Sequence, residues 1–104
     1  MQDRPTIKTA IPKRRYQLGD HSASLLGEIE SGDARHYRYI LAVRTGEREP
    51  VLYVCAALAE RADGAYRLRV VSELMTEVVD TNDRWGELDA FAELRFPRNF
   101  VFQG

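Results

Sequence analysis

The sequence predicts an α+β domain: an antiparallel β-meander of about five strands, with one C-terminal helix packed on one face and the sheet able to curl into a half-barrel. Three observations carry this. Apolar and polar residues alternate through most of the first 79 positions. Turn residues punctuate those runs at Gly19-Asp20, Ser31-Gly32-Asp33 and Ala62-Asp63-Gly64. After Asp80 the period changes to the 3–4 spacing of an amphipathic helix.

The elements follow in order. Residues 1–12 read as a flexible N-terminal arm, since Pro5 and Pro12 interrupt them, and 13–104 as the single domain. Tyr16 and Leu18 share one face of a short strand over 14–18. In a second strand, 22–30, Ala23, Leu25 and Ile29 alternate with Ser24, Glu28 and Glu30, while Leu26 breaks the pattern. Over 35–44, Tyr37, Tyr39, Leu41 and Val43 face one way, and His36, Arg38, Ile40, Ala42 and Arg44 the other. Pro50 marks a boundary before 51–59, which is apolar on both faces and reads as a central strand. Residues 65–75 alternate again, with an extension to Val79.

Asp80-Thr81-Asn82-Asp83 then supplies helix N-cap candidates, and Trp85, Leu88, Phe91 and Ala92 form one apolar stripe. Gly86 weakens this helix, and Pro97 ends it by Phe96. The tail Arg98–Gly104 is too apolar for a free end and is expected to pack on the sheet or add a short strand. The helix is expected on the face bearing Tyr37, Tyr39, Leu41, Val43, Leu68 and Val70. That leaves a second face of Arg38, Arg44, Arg67 and Arg69 mixed with Ile40, Ala42 and Val71. One helix cannot cover both sides, so either the sheet curls or the second face meets a partner. A homodimer is the simplest such partner, because twofold pairing needs one patch.

Length and composition bound the rest. One core fits 104 residues, and 44% hydrophobic with 30% charged residues is ordinary for a globular chain. A net charge of −1 disfavours a polybasic membrane anchor or a strongly basic nucleic-acid binder. No run approaches the roughly 18 apolar residues of a membrane span, and Met1–Pro5 opens no secretory signal. The single cysteine, Cys55, lies in an apolar run, which suits a buried small side chain in a reducing cytoplasm.

Catalytic signatures are absent from the pattern. One cysteine and two histidines, His21 and His36, form no zinc spacing. Asp80–Asp83 departs from a calcium loop because Arg84 and Trp85 stand where a ligand and the glycine belong. No phosphate-binding glycine loop, nucleophile elbow or metalloprotease helix occurs. The expectation is a non-enzymatic protein without a cofactor or metal: an interaction module that pairs with itself or another protein through the uncovered sheet face.

The alternative is binding of single-stranded nucleic acid by a basic sheet face formed by Arg14, Arg15, Arg38, Arg44, Arg67 and Arg69. Acidic residues gather elsewhere: Glu77, Asp80, Asp83, Glu87, Asp89 and Glu93 stand against Arg84 alone. A meander followed by one Trp-bearing helix resembles, in architecture and not in motif, the dimeric single-strand DNA-binding folds of the Whirly type. A small-ligand pocket near Trp85 and Tyr39 is the third reading.

Overall fold

A computed structural model describes residues 4–46, 50, 52–58, 65–72 and 76–92. Six strands run in chain order as one antiparallel sheet: β1 (Ile7–Leu18), β2 (His21–Ser31), β3 (Tyr37–Thr45), β4 (Leu52–Leu58), β5 (Tyr66–Ser72) and β6 (Thr76–Asn82). Among the described residues each pairs only with its sequence neighbours, so the sheet is an unclosed meander with β1 and β6 as its edges. A 3₁₀ turn, Asp83–Gly86, and a short helix α1, Leu88–Ala92, follow.

The expected meander is present, with six strands instead of five. The run expected as one fifth strand pairs with itself as β5 and β6. Its reversal falls in 73–75, outside the described residues, where Glu73-Leu74-Met75 carries no Gly, Pro, Asn or Asp to announce a turn. The 62–64 turn and the tail from 93 onward also lie outside the described residues.

The expected long helix is instead two short pieces. Asn82 caps the first by accepting from Arg84 N–H at 3.1 Å. The chain then leaves helical geometry at Glu87 (φ −102°, ψ 130°), directly after Gly86. Trp85, Leu88 and Phe91 still point inward together, as their spacing predicts.

Two cores lie on opposite sides of the sheet. The first packs Trp85 and Phe91 against Leu25, Tyr39, Leu41, Val43, Val54, Leu68 and Val70. The second joins Tyr37, Ile40, Ala42, Tyr53, Cys55, Ala57 and Val71, with Ile7, Leu26 and Ile29 laid against it. Tyr37 was expected beneath the helix. A register shift between Tyr37 and Tyr39 inserts Arg38 as an extra residue and sends Tyr37 to the far side.

The second face is therefore covered within the chain, contrary to expectation: Ile40, Ala42 and Val71 are buried. The cover is the outer half of the β1–β2 hairpin. Register shifts between Pro12 and Arg14 and between Thr9 and Ile11 mark its bend, and Glu28 sits at φ 47° nearby. β1 starts at Ile7, inside the segment expected as an arm, and Pro5 is buried. Leu26, which spoils a simple alternation, is part of this second core, as is Ile29.

Asp33 secures the bend. Its carboxylate accepts from Thr6 N–H (3.1 Å), Arg35 N–H (2.9 Å) and the Tyr37 hydroxyl (3.0 Å). Gly32 N–H donates to the Thr6 carbonyl at 2.7 Å, so the start of β1 is held to the β2–β3 connection.

Candidate functional site

Strand parity sorts the basic residues. Arg14 pairs with Leu25 and so faces the helix side, where its guanidinium meets Asp89 Oδ1 at 3.0 Å. Arg38, in the β3 bulge, donates to the Gly86 carbonyl at 3.2 Å and lies 5.1 Å from the Tyr39 ring centre. Both therefore serve the docking of the C-terminal turn and α1.

Arg15, Arg44, Arg67 and Arg69 stand on the other face, but not together. Arg67 and Arg69 pair with Ala57 and Cys55 on β4, and Arg69 Nε is buried without a partner. Arg15 and Arg44 belong to the opposite end, beside Ser24 and Ser22 respectively. The covered second core lies between the two pairs. The six arginines expected as one basic face thus form three separate groups.

One of these groups lines a groove. Arg15, Gln17, Ser22, Ser24 and Arg44, with Tyr16, Ala23 and Gly46, line a groove of about 520 Å³ that opens to solvent. Alternation places the first five side chains on one face, since Arg15 opposes Ser24, Gln17 opposes Ser22, and Ser22 opposes Arg44. The lining holds two guanidiniums and, among the described residues, no carboxylate. Among the described residues neither Arg15 nor Arg44 has an ion pair or hydrogen-bonding partner. Periodicity hides this site because its members come from three strands, and their meeting depends on register.

The region between helix and sheet, where the third reading places a small-ligand pocket, is filled: Phe91 is fully buried, its ring centre 5.5 Å from that of Tyr39 with the planes tilted by 37°. Trp85 is buried too, donating from Nε1 to Asp80 Oδ2 at 2.9 Å. Cys55 is 1% exposed, and burial pushes its thiol up to about 12, the opposite of an activated nucleophile. Among the described residues no cluster of His, Cys, Asp and Glu could hold a metal ion, and no helix is long and apolar enough to cross a membrane.

The free edge at β6 is the second notable surface. All seven of its residues are exposed, with Val78 at 48% and Val79 at 37%. It carries Glu77 and Asp80 but neither Lys nor Pro, and one bulge interrupts it at Val79, which has no partner on β5. The other edge is better guarded, since β1 contains Pro12, Lys8 and Lys13.

No family model, curated protein or solved structure matches this chain.

Proposed function

We propose that this protein is a non-enzymatic interaction module that associates with a second copy of itself through the β6 edge. The observation that carries this reading is an edge strand exposed along its whole length, with two outward valines. An edge of this kind presents unpaired backbone donors and acceptors to any extended segment. The self-pairing expected of the sheet face moves to the sheet edge, because the face is occupied by the chain's own hairpin.

Charge favours one register. A twofold axis at Val79, the bulged residue of β6, would set Val78 near Asp80 of the copy and Glu77 near Thr81. An axis between Val78 and Val79 would set Glu77 directly against Asp80, a like-charge pair that costs stability. One strand pair is a small interface, so the association is weak and concentration-dependent.

Sedimentation equilibrium across a concentration series tests it. The wild type should shift from monomer to dimer, and Val79→Lys should remain monomeric with an unchanged circular dichroism spectrum. A wild type that stays monomeric up to millimolar concentration, or a dimer indifferent to Val79→Lys, overturns the proposal.

A further inference from the structure

We infer that the groove between Arg15 and Arg44 is a binding site for a small phosphorylated ligand. Among the described residues, two guanidiniums share one groove whose lining holds no carboxylate, and neither has a partner. Like charges held together without compensation raise the local affinity for an anion. The guanidinium fork matches phosphate oxygens two at a time, which a lone ammonium cannot do. The hydroxyls of Ser22 and Ser24 stand beside the two arginines on the same face and add neutral donors.

Size and surroundings choose the ligand class. About 520 Å³ lies within the range of small-molecule sites, roughly 300–1,000 Å³. A nucleic-acid strand would need the basic surface to continue beyond the groove. Among the described residues it does not: Arg14 turns to Asp89 on the other face, and Arg67 and Arg69 lie beyond the second core. The site is also far from β6, on the opposite side of the sheet order, so it stands or falls separately from self-association.

Amide chemical-shift mapping at low ionic strength, with pyrophosphate and phenyl phosphate as probes, tests the inference. Saturable shifts should centre on Ser22, Ser24 and Gly46. Arg15→Gln and Arg44→Gln should each weaken binding by about tenfold or more, the effect of losing one charged hydrogen-bonding group. Arg67→Gln, on the far side, should leave it unchanged. The wild-type map needs no variant, so a misfolded substitution does not shield the inference. It is overturned by non-saturable shifts, by shifts centred elsewhere, or by equal weakening in Arg67→Gln. It is also overturned if a thymidine decanucleotide binds more tightly than pyrophosphate, which would assign the groove to nucleic acid.

Discussion

The Tyr37 hydroxyl donates to Asp33 Oδ2 across 3.0 Å, linking the first residue of β3 to the connection that precedes it. The same oxygen accepts from Thr6 N–H, so one carboxylate ties three segments together. Asp33→Ala should cost about 2 kcal/mol in urea denaturation, and Tyr37→Phe about 1 kcal/mol, because three donors, the buried Tyr37 hydroxyl among them, lose their acceptor in the first case and one hydrogen bond is lost in the second. A double-mutant cycle should show coupling of about 1 kcal/mol between them. Additive losses would mean the contact holds nothing in place.

The acid limb of stability should depend on the same group. Burial acts to raise the Asp33 carboxyl, but the Thr6 and Arg35 amides and the Tyr37 hydroxyl together outweigh it and hold the group below its ordinary value of 3.8. A depressed folded value means stability present above the unfolded value and lost as pH falls through the folded one. Denaturation as pH falls below the ordinary carboxyl value of 3.8 should therefore show a loss that Asp33→Asn reduces.

At alkaline pH the sign reverses. Burial lifts Cys55 from 9.0 and Tyr37 from 10.0, both to about 12. Groups raised on folding contribute stability that is complete below the unfolded values and fades as pH climbs through the folded ones. Stability should fall from about pH 9 upward, and Cys55→Ala should flatten the early part of that decline. A profile level to pH 11 would contradict the burial of both groups.

Helix docking rests on two aromatic residues. Phe91→Ala should cost about 3–5 kcal/mol, since the ring is fully buried against Tyr39. Asp80→Ala should cost about 1–2 kcal/mol by stranding the Trp85 indole N–H, with tryptophan fluorescence shifted to the red. An unshifted spectrum would argue that Trp85 is held by packing alone.

Two glycines should respond differently to an added methyl. At Gly86 a Cβ would run into the Tyr66 ring, so Gly86→Ala should cost about 1–3 kcal/mol. At Gly27 the closest atoms are Lys13 Cε at 2.9 Å and Cγ at 3.0 Å, on a side chain tethered to Glu28 but able to shift more than a ring, so Gly27→Ala should cost less. Thermal melts of the two variants check the order.

Much of the architecture is legible in the residues. The alternation of Tyr39, Leu41 and Val43 and the Ser31-Gly32-Asp33 turn lead to β2, β3 and the face that receives Trp85 and Phe91. What alternation cannot carry is a bulge. One extra residue at Arg38 moves Tyr37 across the sheet, and the irregularities near Lys13 and Glu28 fold Ile7 and Ile29 over the second face. The reversal between β5 and β6 lacked turn chemistry, so two strands read as one. The candidate site was legible as a list of arginines but not as a grouping. Which arginines meet depends on register and bulges, and Arg15 and Arg44 share a groove.

The sequential strand order also shapes how the chain reaches this state. Every strand pair joins neighbours in sequence, so the sheet can assemble hairpin by hairpin with little loop-closure entropy at each step. The contact that spans the chain is different: Arg14 and Asp89 meet across 75 positions, where α1 crosses to the first strand. Docking of Phe91 and closure of this pair should form late, after a nearly complete sheet exists to receive them. Substitutions at Phe91 should then accelerate unfolding while leaving the refolding rate almost unchanged, whereas substitutions in the β3–β4 hairpin should slow refolding itself.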